Sequence, residues 1–467
     1  MNCFQQTGVK LCRHILLQGH YTPFVTRNQC LSSLVKKAMA EPKHYQPKET
    51  VEYPESSPIS QLSKYFLTLP RTVQVRSGEN VKIDWFKDEH IPAIFKLIKQ
   101  VVDDGTAGFS EAEFETEEKL RWHLGHAYGA VSGVEINSGR PVCVMWVAPS
   151  PLVRSVSPVM HAGYIVMETK YQNSGLGRQL MSMFSVLGMQ GGYIGTMGRS
   201  MLVHAPVVVG VIRVGSKIGG WIPRSLSTKR HGITDDIIVD NDYTHLLPVR
   251  QPTLPEILDR INKGKLLRPN KRFENMFTGV KLKTDLKTSS GIAITVRHAE
   301  EEELANIFHL LSKAADNGDS FGLDEFPTFD IFTNRFLHGR TAFVIEKSGE
   351  IVGVAVMGPS YLCRAYKPEN AMLYIYLVPE QRQKGIGSVV IQEMIELAKK
   401  DHFSGMLIDV FINSRLPYKY VKKFKFTLVG TIRNSAFVKG EGLTDCAVFY
   451  RDFMMGHMNN MINMSNL

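Results

Sequence analysis

Gly385 and Gly387 lie two residues apart in Pro379-Glu-Gln-Arg-Gln-Lys-Gly-Ile-Gly-Ser-Val-Val390, just after an apolar run and just before a helical pattern. A strand that ends in a glycine-rich turn and opens a helix exposes successive backbone N–H groups. Those donors, with the positive end of the helix dipole, bind anions. Glycine lets the backbone approach closely because no Cβ intervenes, and Arg382 and Lys384 add positive charge at the rim. Taken alone, two glycines also suit a plain strand-to-helix turn. The Gly-Lys-Ser/Thr ending of the P-loop is absent, and so is the third glycine of the dinucleotide fingerprint. A weaker version of the stretch occurs earlier, in Lys170-Tyr-Gln-Asn-Ser-Gly-Leu-Gly-Arg178.

The elements around these turns recur with them. Val81–Gly105 aligns without gaps on Ile294–Gly318, an offset of 213, and both copies carry a short strand, an acidic helix start and an apolar stripe at helical spacing. Glu113-Phe114-x-Thr116 returns as Glu325-Phe326-x-Thr328, Pro149-Ser150-x-Leu152-x-Arg154 as Pro359-Ser360-x-Leu362-x-Arg364, and Tyr164-Ile165 as Tyr374-Ile375. The chain reads as a tandem duplication with a basic leader over 1–40, a Pro-rich lead-in over 41–78, modules over 79–245 and 291–453, a basic linker over 246–290 and a tail over 454–467. In the second copy, strands at Ala342–Glu346 and Ile351–Met357 flank a Ser348-Gly349 hairpin turn. A strand follows at Met372–Val378, then a helix at Val389–Lys400 and a strand at Met406–Ile412. The expected class is mixed α/β (α+β), a largely antiparallel sheet flanked by helices in each module. Leu180–Gly198 lacks charge but is too glycine-rich and polar to span a membrane; it reads as a helix followed by a loop.

The totals narrow the partners. Of the net charge of +10, the acid-free leader supplies +5 through Lys10, Arg13, Arg27, Lys36 and Lys37, and no long basic block with interleaved aromatics follows. Nucleic acid is therefore not an expected partner. The leader resembles a mitochondrial transit peptide, with a basic tail as the alternative, so the expected location is the mitochondrial matrix or the cytoplasm. Six scattered cysteines without a CxxC pair indicate neither a disulfide framework nor a metal site.

Arg382-x-x-Gly385-x-Gly387, set between an apolar strand and a helix, resembles the acyl-CoA loop of the GNAT superfamily of N-acyltransferases, and Gln172-x-x-Gly175-x-Gly177 fits the same pattern. The resemblance implies two tandem GNAT-like folds and an acyl-CoA co-substrate, acetyl-CoA by default. It implies that Leu377 and Val378 offer backbone hydrogen bonds to the pantetheine arm. It also implies that Arg382, Gln383, Lys384, Gly385, Ile386, Gly387 and Ser388 hold the pyrophosphate. Acyl transfer to a primary amine needs loss of a proton from the amine and delivery of one to the leaving thiolate. The family's acid is a tyrosine separated from an asparagine by six residues. Asn413 places Tyr420 at that step, with Tyr418 as the alternative. The base is open: Asp409 on the following strand, or a water held by Tyr374 and Tyr376. The loop Asp316–Asp330 carries five acids and no basic residue, which favours a small cationic amine as acceptor, although a solvated acidic loop accounts for it equally.

The two copies differ. Aligning Met201-Leu202-Val203 on Met406-Leu407-Ile408 sets Tyr420 against Val209–Gly220, which has no tyrosine, and Glu168 stands where the second copy has Val378. The second module is expected to be catalytic and the first degenerate. The competing expectation is a non-catalytic acyl-CoA sensor or scaffold.

Overall fold

The computed structural model describes residues 45–47, 50–105, 109, 111–155, 160–201, 212, 215–228, 230–247, 253, 255–256, 282–337, 339–364, 369–414 and 423–454. The leader, most of the basic linker, Tyr418, Tyr420 and most of the tail lie outside them. Residues 45–467 form one unit.

The N-terminal half contains α1 (Pro58–Phe66), β1 (Arg71–Gln74), β2 (Asn80–Trp85), α2 (Ile91–Asp103), α3 (Glu117–Gly125), β3 (Gly129–Glu135), β4 (Pro141–Pro149), β5 (Met160–Met167), α4 (Leu176–Gln190), β6 (Gly195–Met201), β7 (Lys217–Thr228) and β8 (Gly232–Asp242). The C-terminal half contains β9 (Lys283–Lys287), β10 (Ala293–His298), α5 (Leu304–Asp316), β11 (Thr341–Lys347), β12 (Glu350–Pro359), β13 (Asn370–Leu377), α6 (Ile386–Lys400), β14 (Gly405–Phe411), β15 (Thr427–Val438) and β16 (Gly442–Asp452). All sixteen strands join one sheet, in the order β1-β2-β3-β4-β5-β6-β8-β7-β15-β16-β14-β13-β12-β11-β10-β9. Exchanging each strand with the one eight places later reverses that order onto itself, so the halves are related by a pseudo-two-fold axis between β7 and β15. Among the described residues only β5–β6 and β13–β14 pair in parallel.

The local chemistry follows the sequence. Ser348 and Gly349 both have positive φ, 53° and 84°, which suits the two-residue turn joining β11 to β12. In α2, Ile91, Ile94, Leu97, Ile98, Val101 and Val102 recur at helical spacing and are all buried. The sheet corrects several boundaries. It starts at β1 and β9, inside the stretches read as lead-in and linker, and Gly195–Met201 is a strand where a loop was expected.

The halves meet edge to edge at a narrow crossing, where Gly220 of β7 pairs with Gly430 of β15. A Cβ on Gly220 would fall 2.2 Å from the Gly430 Cα, and its φ is 144°, so glycine is required on both counts. A reciprocal exchange of arginines reinforces this seam. Arg154 leaves the N-terminal half and binds Glu325 with two nitrogens, at 3.0 and 2.9 Å, and the Ser320 carbonyl at 3.1 Å. Arg364 leaves the C-terminal half and binds Asp236 through Nε at 2.9 Å and again through Nη2, with Glu113 at 3.5 Å from Nη1. Both arginines sit on the repeated Pro-Ser-x-Leu-x-Arg segment. In each copy the serine Oγ accepts from the leucine N–H two residues on, at 3.3 and 3.2 Å, which turns the chain toward the other half. One core cluster runs across the seam, from Ile238 and Met197 to Phe321 and Val448.

Arg154 and Glu325 are both almost wholly buried, so removing one strands the other's charge. Arg154→Met is expected to lower urea-unfolding stability by about 3–5 kcal/mol, and Arg154→Met/Glu325→Gln to recover most of that loss. Equal losses in the single and double variants would show that the pair contributes nothing through its charge.

Candidate functional site

β13 and β14 pair at only three positions, Asn370 with Gly405, Ala371 with Met406 and Met372 with Leu407. Beyond Met372 they part, and a cleft of about 190 Å³ opens between Leu373–Leu377 and Ile408–Phe411. Arg382, Gln383, Gly387 and Ile391 line it where the glycine turn lies, and Arg154, Phe321 and Asp409 also face it.

The turn has the geometry of an anion cradle. Gln383 and Gly385 are left-handed, with φ of 63° and 83°, and α6 starts at the next residue. The N–H groups of Ser388 and Val389 donate to the Gly385 carbonyl. Among the described residues nothing accepts from the N–H groups of Gln383, Lys384, Gly385, Ile386 and Gly387. These are the unsatisfied donors of a helix N-terminus, aimed where the dipole favours negative charge. Gly387 keeps the wall low, since a Cβ there would already touch Leu377 at 3.5 Å. Arg382 donates through Nε to the Leu377 carbonyl at 2.9 Å, binds Asp319 with both terminal nitrogens and lies over the Tyr376 ring. Lys423, which sequence reasoning passed over, brings its Nζ to 3.3 Å from Ser388 Oγ. Lys384 is held by the Gln381 side chain at 3.4 Å. The Val378 N–H is already bonded to Val352 O at 3.0 Å on β12.

Asp409 lies on β14 in the wall of this cleft and is 4% exposed. Its Oδ2 accepts from the Tyr361 hydroxyl at 2.7 Å, and its buried Oδ1 has no partner among the described residues. Arg154 is close by, its guanidinium stacked over Phe411 at 4.4 Å and Tyr374 at 5.4 Å. Burial works against its charge, but Glu325 and Asp409 outweigh it and hold Arg154 protonated. Burial, then Asp409, pushes the Tyr374 hydroxyl up well above the usual phenol range. The acidic loop is largely spent on internal bonds. Asp319 holds Arg382, Asp324 accepts from Ser155 and Glu325 holds Arg154. These acids therefore clamp the halves and the glycine turn. Asp409 is the lining acid whose charge no cation in the cleft neutralises by direct contact among the described residues. No group of three or more His, Cys, Asp and Glu among them is placed to hold a metal.

The N-terminal half repeats the scaffold with other chemistry. β5 and β6 pair only at Met160 with Gly195 and His161 with Thr196, and Asn173 and Gly175 are left-handed like Gln383 and Gly385. The strand registers set the offset at 210 and correct the sequence alignment of β6 on β14 by five residues: Thr196, not Met201, corresponds to Met406. Tyr420 then falls opposite Gly210, and both lie outside the described residues. On this register Arg199 occupies the Asp409 position and Pro151 the Tyr361 position. Arg199 donates to the Leu362 carbonyl at 2.6 Å, while burial and the neighbouring Arg364 work against its charge. In the turn, Ser174 replaces Lys384 and turns its hydroxyl inward, donating to the Tyr171 carbonyl at 2.5 Å and standing 3.4 Å from the Leu176 N–H.

Residues 305–417 match the acetyltransferase (GNAT) family model; the N-terminal half lies outside that match. No curated protein matches the chain. Among solved structures, a GCN5-related N-acetyltransferase from Kribbella flavida is 18% identical, with a TM-score of 0.30, over 34% of this chain and 98% of that one. An N-acetyltransferase from Staphylococcus aureus Mu50 is 24% identical, with a TM-score of 0.29, over 34% and 98%. A spermidine N-acetyltransferase from Vibrio cholerae, solved with CoA and spermine, is 17% identical, with a TM-score of 0.29, over 34% and 95%.

His161, at the start of the parallel contact in the N-terminal half, is wholly buried and bonds to Thr196 Oγ1 at 2.8 Å. Burial pushes its imidazole down from 6.5 to about 3. The unfolded chain therefore binds a proton between those values that the folded chain refuses, and stability falls as pH drops from 6.5 toward 3. His161→Phe is expected to flatten the pH dependence of the urea midpoint across that window relative to the parent, whatever its absolute stability. An unchanged slope would show that His161 does not titrate on unfolding.

Proposed function

We propose that the C-terminal half is an acyl-CoA-dependent N-acyltransferase, acetyl by default, acting on a primary amine, with a small cationic amine favoured. One observation carries the reading: one cleft reaches, at Gln383 and Gly387, a glycine turn whose N–H donors are unpartnered among the described residues and holds, along the wall formed by β14, a buried carboxylate with one unpartnered oxygen. The donors suit a pyrophosphate, and the parted strands give a thioester arm a path along β13. The family match over residues 305–417 supports the same cofactor. With Arg154 and Arg382 each paired to an acid, Asp409 leaves the cleft with a net attraction for a cation.

In this reading Asp409 Oδ1 takes a proton from the bound ammonium, directly or through one water. The amine nitrogen then attacks the thioester carbonyl, and the carbon–sulfur bond breaks as the tetrahedral intermediate collapses. The leaving thiolate receives a proton from Tyr420, the acid implied by the Asn413 spacing, and the second proton that the nitrogen sheds as the amide forms goes through solvent to restore the tyrosine. The N-terminal half, with Arg199 in the base position, is a degenerate module that stabilises the pair and walls the acceptor end. The leader is read as a mitochondrial transit peptide.

The decisive assay is thiol release from acetyl-CoA across a panel of amines. Gly387→Leu fills the cleft beside the turn and is expected to raise KM for acetyl-CoA at least about tenfold; Gly177→Leu, at the matching place in the other half, should leave it within about twofold. Asp409→Asn is expected to lower kcat about 10²-fold or more with little change in that KM. Ligand-induced thermal stabilisation by CoA without turnover on any amine would favour a non-catalytic acyl-CoA scaffold. Loss of activity from Gly177→Leu alone would reverse the assignment of the halves.

A further inference from the structure

We infer that Tyr361 is a positioning residue for the proton transfer at Asp409, holding the carboxylate so that Oδ1 alone is offered to the acceptor amine. The inference rests on the reading of Asp409 as base. Tyr361 lies between β12 and β13, on the segment that crosses to the other half. Its hydroxyl stands 2.7 Å from Asp409 Oδ2 and 3.4 Å from the Leu152 carbonyl. One hydroxyl proton serves one strong acceptor, and the shorter contact to an ionised oxygen is the stronger. The donor therefore belongs to Asp409. With Oδ2 occupied, the buried Oδ1 is the oxygen left for a ligand. A buried acceptor without a partner is costly and in native proteins calls for a ligand, a water or a role.

A buried Tyr–Asp pair also occurs as plain structure, joining two segments. The duplication supplies the control. The N-terminal half builds the same crossing segment, with Ser150, Leu152 and Arg154 in place of Ser360, Leu362 and Arg364, and with the same strand register. There the tyrosine position is Pro151 and the aspartate position is Arg199. Two positions 48 apart in sequence, touching in space, differ together between copies of one scaffold. The scaffold forms without the pair, so folding does not demand it. What separates the copies is the chemistry of the cleft.

Among the described residues the Tyr361 hydroxyl is the group hydrogen-bonded to the Asp409 carboxylate, and Arg154 acts on that carboxylate by charge alone. Arg154, from the opposite half, is bound to Glu325. Tyr374 on β13 and Cys446 on β16 are kept neutral first by burial, with Asp409 acting further on each. Arg340 lies over the rings of Tyr361 and Tyr374, 5.6 and 5.3 Å from their centres, and among the described residues forms no hydrogen bond or ion pair with the carboxylate itself. A hydrogen bond donated to a carboxylate favours its charged form. Removing the hydroxyl removes that support for the charged form, and a base must be unprotonated to act.

The test is the pH dependence of kcat with acetyl-CoA and the best amine both saturating. Tyr361→Phe keeps the ring, and its acidic limb is expected to move up by about one pH unit, with kcat on the plateau reduced about tenfold or less and KM for acetyl-CoA within twofold. Replacing Tyr361 by 3,5-difluorotyrosine, a stronger donor of the same shape, should move the limb the other way; this variant also covers the case in which the phenylalanine form folds poorly. A limb that stays in place or moves in the same direction in both variants overturns the inference. If instead Asp409→Asn retains its turnover, the reading of Asp409 as base falls first, and the role of Tyr361 with it.

Discussion

Each half of the sheet buries an arginine whose acid lies in the other half. A guanidinium excluded from water must have its charge met and its N–H groups bonded, or the cost of burial goes uncompensated. Arg154 meets that demand across the seam at Glu325 and Ser320, and Arg364 at Asp236 and Glu113. Neither half can be completed alone. The strands themselves could not impose this, because among the described residues β7 and β15 pair in register at one position, Gly220 with Gly430. The continuous sixteen-stranded sheet is thus less a pair of joined modules than one structure whose seam is held by crossed ion pairs and a shared core.

The cleft depends on that seam. A parallel strand pair that separates after three residues exposes main chain and apolar side chains, and something must bound the opening. At the glycine end the boundary is local: α6, its turn, and Arg382 pinned between Leu377 and Asp319. Near Asp409 it is supplied from the other half, as Arg154 stacked on Phe411 and Tyr374 and the Leu152 carbonyl beside the Tyr361 hydroxyl. The N-terminal half therefore helps to bound the cleft of the C-terminal half and carries Arg199 where that half has Asp409.

What could be read from the sequence was local. The glycine turns, the helix after Gly385, the Ser348-Gly349 hairpin and the duplication each declare themselves within a short window, because backbone conformation and periodicity are short-range signals. Asp409 was reached as one option among several. Its partner Tyr361 was not, because no spacing rule joins residues 48 apart on different strands. The arginines were visible as an echo in Pro-Ser-x-Leu-x-Arg, but nothing local says that a repeated arginine serves the other copy. The acids of Asp316–Asp330 looked like a mouth for a cation, but two of the five, Glu325 and Asp319, are paired to Arg154 and Arg382. The five-residue error in aligning β6 on β14 came from matching Met-Leu-Val to Met-Leu-Ile; one apolar strand resembles another, and only pairing to a neighbour fixes register.

Duplication makes the asymmetry intelligible. Two equal sites would require both parted strand pairs to keep a polar, open interior, and the seam would then gain little from either. In the N-terminal half, Arg199 reaches the Leu362 carbonyl from the position that Asp409 holds in the C-terminal half, adding a bond across the seam at the place where a base would stand. In the C-terminal half the matching carbonyl, Leu152 O, faces a tyrosine hydroxyl turned toward Asp409. The same position in the repeat thus carries a bond across the seam in one copy and an unpartnered carboxylate oxygen in the other. A carboxylate left half-satisfied is a local loss of stability that a single-copy fold would bear alone. Here the N-terminal copy, relieved of that demand, supplies both the arginine that crosses to Glu325 and the one that secures Leu362.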